Sequence, residues 1–172
     1  IINNLCNGDC IASAEAIVTG GVGPFNFLWI PTSQTNDTAI NLCANTYLII
    51  VTDLSDGHQA GTSIAINDPP LLAAFPFATN LLCNGNCVGT INANAFGGTP
   101  PFTYLWSNAQ TGVVATGLCA ATYTVTVTDQ NGCTTTGTAT VNQPPPINHN
   151  GAFTYVICFN DCNGTATVSP TG

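Results

Sequence analysis

The chain contains no lysine, no arginine and no methionine. Only 5% of its 172 residues are charged, where an ordinary globular protein carries about 25%. Eight acidic side chains leave a formal net charge of −8 with no fixed cation to answer them. Such a surface does not neutralise phosphates, which excludes nucleic-acid binding through the backbone. It offers no polybasic segment to an anionic membrane. Phosphate-cradling lysines, Schiff bases and arginine clamps have no residue to use. A carboxylate finds a cationic side chain only in His58 or His149. Long apolar runs are missing too: none approaches the roughly 18 residues of a membrane span. The chain starts at Ile1 without Met or a charged leader, so no signal peptide is visible and it reads as an excerpt from a longer, processed protein.

What is present argues for a folded, all-β chain. Apolar residues make up 45% of the sequence, enough to bury a core and too many for disorder. Thr, Val and Ile recur between Gly, Pro and Asn, while the strong helix formers are scarce or absent.

The chain repeats itself. Cys6-Asn-Gly-Asp-Cys10 returns as Cys83-Asn-Gly-Asn-Cys87 and again as Cys158-Phe-Asn-Asp-Cys162. Gly20-Gly21-Val-Gly-Pro24-Phe25-Asn-Phe27-Leu28-Trp29 returns as Gly97-Gly98-Thr-Pro-Pro101-Phe102-Thr-Tyr104-Leu105-Trp106. Leu42-Cys43-Ala44-Asn-Thr46-Tyr47 returns as Leu118-Cys119-Ala120-Ala-Thr122-Tyr123, and Asn67-Asp-Pro69-Pro70 as Asn142-Gln-Pro144-Pro145. The offset stays between 75 and 77 residues, so one copy is about 76 residues long. The expected domains are residues 1–68 (a copy lacking its start), 69–143 (a complete copy) and 144–172 (the opening of a third), within an array expected to continue beyond both ends.

Each copy reads as a small sandwich. Phe102, Tyr104 and Trp106 alternate with Thr103 and Leu105, placing aromatics on one strand face. Tyr123, Val125 and Val127 alternate with threonines, Asp129-Gln-Asn131-Gly132 turns the chain, and Thr134 to Val141 returns as the hairpin partner. Pro69-Pro70 and Pro144-Pro145-Pro146 form stiff linkers between copies. About seven short strands around a central Trp fit an immunoglobulin-like or PKD-like β-sandwich, and the tandem copies predict a rod.

These strings resemble the SprB repeat: Cys-Asn-Gly-x-Cys, then Gly-Gly-x-x-Pro-Phe-x-Tyr-Leu-Trp, then Gly-Leu-Cys-Ala-x-Thr-Tyr-Thr-Val-Thr-Val-Thr-Asp-x-Asn-Gly-Cys. The resemblance spans the whole chain, closest in residues 83–145 and looser in residues 1–67. It implies a repeat from long surface adhesins of gliding and related Bacteroidota, exported by type IX secretion. It further implies a PKD-like sandwich, an extracellular or cell-surface location, and a stalk or adhesive filament rather than an enzyme. The first copy departs from the pattern, with Asp56-Gly57-His58 where the second has Asn131-Gly132-Cys133, and Leu48-Ile49-Ile50 in place of a Thr-Val-Thr run.

In that setting the nine cysteines read first as disulfides. In an immunoglobulin-like sandwich the loops holding Cys87 and Cys119 sit at one end, which favours Cys87–Cys119 and, by analogy, Cys10–Cys43. Cys83 would then join Cys133, or bridge locally to Cys87. Cys6 would be left without a partner, since His58 holds the position of Cys133.

Other chemistry has less to work with. Zinc would need a second cysteine pair at ligand spacing, which is missing. Calcium is the better metal candidate, through Asp53 and Asp56, Asp129 and Asn131, or Asp9 and Asp161, although no loop matches an EF-hand and such residues also stabilise turns unaided. No cofactor is expected otherwise. His58 and His149 stand in no triad-like context, and the acidic residues fall in separate turns, so no catalytic site is expected. Asn36-Asp37-Thr38 and Asn163-Gly164-Thr165 match the N-linked acceptor. Asp37-Thr38-Ala39 also resembles a Bacteroidota O-glycosylation signal, which favours Thr38. A hydrophobic surface without gatekeeper lysines needs cover, and neighbouring copies, neighbouring chains or surface glycans are the candidate partners. Two roles follow: a passive stalk carrying an adhesive, carbohydrate-binding or enzymatic tip elsewhere, or an array that is itself the filament. Carbohydrate binding through Trp29 and Trp106 is disfavoured by their core-like positions.

Overall fold

The computed structural model describes residues 1–153 and 165–171. Every regular element among them is a strand, and no helix occurs. The chain is an all-β sandwich protein, and the pairing of its strands follows the sequence copies.

In the first copy, β1 (Ala12–Glu15) pairs with β3 (Thr38–Leu42), while β2 (Phe25–Ile30), β4 (Asn45–Asp53) and β5 (Gln59–Ile66) form a second antiparallel sheet in the order β2-β4-β5. Successive side chains along a strand point to opposite faces. On β4 that period buries Tyr47 and Ile49 while Leu48 faces out. Trp29 lies opposite Ile49 in the β2–β4 register, so both fall on the inner face. Ala12, Ala14, Ala39 and Leu42 supply the other wall, and Ile66 completes the core. The alanines keep the β1–β3 layer thin enough for the large indole beneath it.

The second copy contains β6 (Ala73–Ala74), β7 (Phe77–Thr79), β8 (Gly89–Asn92), β9 (Ala95–Phe96), β10 (Thr103–Trp106), β11 (Val114–Leu118), β12 (Ala121–Thr128) and β13 (Thr134–Val141). Its sheets run β11-β8-β7 and β10-β12-β13, with β6 and β9 as a separate pair. Trp106, Ile91, Ala93, Ala115, Leu118, Val125, Val127 and Val141 are all buried. Gly89 is needed where β8 passes beneath Val141 and the Leu118 carbonyl, because a Cβ would fall 2.7 Å and 2.9 Å from them. In the third copy β14 (Asn148–Phe153) and β15 (Ala166–Thr171) pair antiparallel.

By packing, the chain resolves into two compact units, each discontinuous in sequence. One contains Ile1–Ala74, Ala95–Thr103 and Val127–Thr136; the other contains Phe75–Asn94, Tyr104–Thr126 and Gly137–Gly172.

Candidate functional site: disulfides, acidic clasps and an open groove

The strand register determines which cysteines meet. Ala12 lies opposite Leu42, so Cys10, just before β1, faces Cys43, just after β3, and the two are bonded with Cα atoms 3.9 Å apart. Gly89 lies opposite Leu118 in the same way, and Cys87 is bonded to Cys119, again at 3.9 Å between Cα atoms. Beside each bridge a tyrosine hydroxyl donates four residues back along the chain, Tyr47 to the Cys43 carbonyl (3.0 Å) and Tyr123 to the Cys119 carbonyl (3.2 Å). A tyrosine closing onto upstream backbone is also found at the corner of immunoglobulin sandwiches.

The third bridge corrects the sequence reading. Cys133 is bonded to Cys6, 127 residues away and in the preceding copy, with Cα atoms 5.6 Å apart. Cys83, expected to take Cys133, is an exposed free thiol, and Cys6, expected to be left over, is paired. The reason is strand length. Cys133 immediately precedes β13, whereas the Cys83 loop is tied past the other end of that strand, Gly85 N donating to Gln143 Oε1 (2.9 Å) and Asn84 Nδ2 to the Pro144 carbonyl (2.9 Å). Eight extended residues span about 26 Å, while a disulfide needs Cα atoms within about 7 Å. Asn131 sets the bond that does form, its Nδ2 donating to the Leu5 carbonyl beside Cys6 at 3.0 Å. Cys158 and Cys162 lie outside the described residues.

The acidic residues proposed for calcium are engaged by their own backbone. Asp53 is buried at the end of β4; its Oδ1 accepts from the Ser55 hydroxyl (2.6 Å) and Ser55 N (2.9 Å), and its Oδ2 from Val22 N (2.9 Å). These donors, the Ser55 hydroxyl first, hold its pKa far below the usual carboxylate range. Asp129 repeats the clasp in the second copy, accepting from Thr99 N (2.8 Å), Asn131 N (2.9 Å) and Cys133 N (2.9 Å). Desolvation pushes this carboxyl up, but the backbone donors outweigh it and the net shift is downward. Each Asp thus ties the turn after the long strand to the Gly-rich loop 30 or so residues earlier. Asp9 Oδ2 accepts from Cys6 N (3.2 Å), and Asp56 meets His58 Nδ1 at 2.9 Å on the exposed surface. Asp161 lies outside the described residues, and among the described residues no three His, Cys, Asp or Glu side chains converge. His149 falls in β14. Asn36 is exposed and its carbonyl accepts from Trp29 Nε1 (2.9 Å); Thr38 opens β3, half-buried opposite Glu15; Asn163 lies outside the described residues.

The Gly-rich loops of the two copies have different surroundings. In the second copy the chain before β6 runs across the Gly97-Gly98 loop: Gly98 N donates to the Pro70 carbonyl (2.8 Å), Leu72 is buried, and a Cβ on Gly97 would run into the Leu71 carbonyl. Among the described residues, none lies within 4 Å of a Cβ placed on the equivalent Gly20. A cavity of about 700 Å³ lies beside Gly20 and Gly21, its lining including Ala14, Ala16, Val18, Trp29, Val51 and Ile64.

Residues 77–111 match the family model described as the SprB repeat. No curated protein sequence shows a significant match to the chain. Among solved structures, the chain is similar to one reported as the structural basis for Dscam isoform specificity, at 12% identity and a TM-score of 0.35, over 84% of this chain. The chain spans 44% of that Dscam chain. It is also similar to the amphioxus IgVJ-C2 molecule, at 14% identity and a TM-score of 0.32, over 80% of this chain and 98% of that one.

Proposed function

We propose that this chain is a segment of an extracellular, cell-surface repeat array with a structural and adhesive role, whose units are the sequence copies 1–68, 69–143 and 144–172. The observation that carries the reading is the Cys6–Cys133 bridge, which locks one sequence copy onto the turn of the next. The bond joins two consecutive copies covalently, which suits an array that bears force along its length. Three disulfides among the described residues suit an oxidising compartment outside the cytosol. The role is mechanical rather than catalytic, and it needs no cofactor, because the buried carboxylates hold turns and both tryptophans are core residues.

Self-association is the second half of the reading. Sheet edges that carry no lysine or arginine support it, since an unguarded edge can take up an extended segment. Electron microscopy under non-reducing conditions, repeated after reduction, tests the proposal. Filaments with a regular axial repeat that lose order on reduction are expected. Isolated rods ending in a distinct head would make this segment a spacer for a tip elsewhere, and compact particles without repeat order would overturn the array.

A further inference from the structure

We infer that Cys83 is the receiving half of a second copy-to-copy disulfide, and that its partner is the cysteine of an Asn-Gly-Cys turn on another copy of this repeat. The inference rests on the array reading and adds the covalent link by which the array propagates.

Cys6 stands one repeat before Cys83 and is bonded to the cysteine of Asn131-Gly132-Cys133. The two receiving loops are built alike. In the first, Asn7 Nδ2 donates to the Pro69 carbonyl (3.0 Å) and Gly8 N to Asp68 Oδ2 (2.7 Å). In the second, Asn84 Nδ2 donates to the Pro144 carbonyl (2.9 Å) and Gly85 N to Gln143 Oε1 (2.9 Å). Gly8 and Gly85 share the left-handed backbone, with φ of 85° and 79°, so the two loops turn alike at this position.

Their surroundings differ. Leu5, whose carbonyl takes the Asn131 amide, is 48% exposed, whereas its counterpart Leu82 is 93% exposed beside a free thiol. A cavity of about 710 Å³ opens at that thiol, its lining including Leu82, Asn84, Pro144, Pro146 and Ile147. At Cys6 the turn is held by Asn131 Nδ2, which donates to the Leu5 carbonyl at 3.0 Å, and by the disulfide itself.

The bond forms by loss of two thiol protons and two electrons, which reduce an external disulfide to two thiols; oxidised glutathione serves in the assay. Cys6→Ser in a Cys158→Ser, Cys162→Ser background leaves Cys83 and Cys133 as the two free thiols. In a glutathione redox buffer this chain is expected to form a head-to-tail ladder of disulfide-linked oligomers, with Cys83–Cys133 as the mapped interchain bond. The ladder should vanish when Cys83→Ser is added. Cys83–Cys83 dimers, an intrachain Cys83–Cys133 bond, or a chain that stays monomeric would overturn the inference.

The unvaried chain gives a second measurement that depends on no substitution at Cys6. At high concentration the Cys83 thiolate of one chain should attack Cys133 of another and release Cys6 as a thiol, giving the same interchain peptide; its absence while Cys83 exchanges with glutathione would count against the link. Native filaments without this bond would remove the inference and leave the array, whereas a ladder without native filaments would do the reverse.

Discussion

Gly97 and Gly20 occupy equivalent positions with left-handed φ angles of 72° and 95°, yet their surroundings differ. An alanine at either position carries the backbone strain of that region, about 1–2 kcal/mol. At Gly97 the added methyl also meets the Leu71 carbonyl, while at Gly20 it meets nothing. Gly97→Ala is therefore expected to destabilise the chain clearly more than Gly20→Ala in denaturant unfolding; equal losses would mean that the Leu71 contact carries no cost. Asp53 and Asp129 make the second residue-scale expectation. Both have pKa values lowered in the fold, so the stability they confer is complete above the unfolded value near 4 and is lost as pH falls through the folded value. The melting temperature should hold from neutral pH to about 4 and fall only below it. Asp53→Asn should flatten that acid limb, and an unchanged limb in Asp53→Asn and Asp129→Asn alike would show that the clasps are not what acid releases.

At the scale of elements, the strands were legible and the links between them were not. The alternation of Phe102, Tyr104 and Trp106 located β10, and the run from Thr134 to Val141 matches β13 end to end, because period-two burial is written in local sequence. The Asp clasps joining the turn after β4 or β12 to a Gly-rich loop were missed, since Asp-x-Asn-Gly reads equally well as a self-contained turn. The Cys6–Cys133 bond was missed because homology between copies suggests pairing within a copy, and nothing local marks a bond over 127 residues. Each bridge restricts the unfolded chain. Closing a loop with a sequence separation of 32, as Cys87–Cys119 does, contributes about 4 kcal/mol in the chain-entropy model, and a separation of 127 about 5 kcal/mol. Cys87→Ser with Cys119→Ser should lower unfolding free energy by roughly the former amount; a loss near zero would mean that the register alone holds β8 against β11.

For the whole molecule, a surface without lysine or arginine has little to lose to salt. Among the described residues the one side-chain ion pair is the exposed His58–Asp56 contact, of a kind that contributes little. With a net charge of −8, screening relieves repulsion, so the melting temperature should not fall as ionic strength rises. A marked salt-induced drop would point to attractive pairs outside this description. The repeat and the all-β sandwich followed from composition and self-similarity, while the bond between copies did not, because it depends on which turn the fold brings beside Cys6. The central claim is that consecutive copies are covalently joined, and peptide mapping of the unreduced chain tests it most directly. Trypsin has no site in this sequence, so cleavage must be directed to acidic or aromatic residues. A linked peptide pair containing Cys6 and Cys133 is the expected result. A Cys83–Cys133 pair with Cys6 free would contradict it, and would return each copy to being a domain closed upon itself.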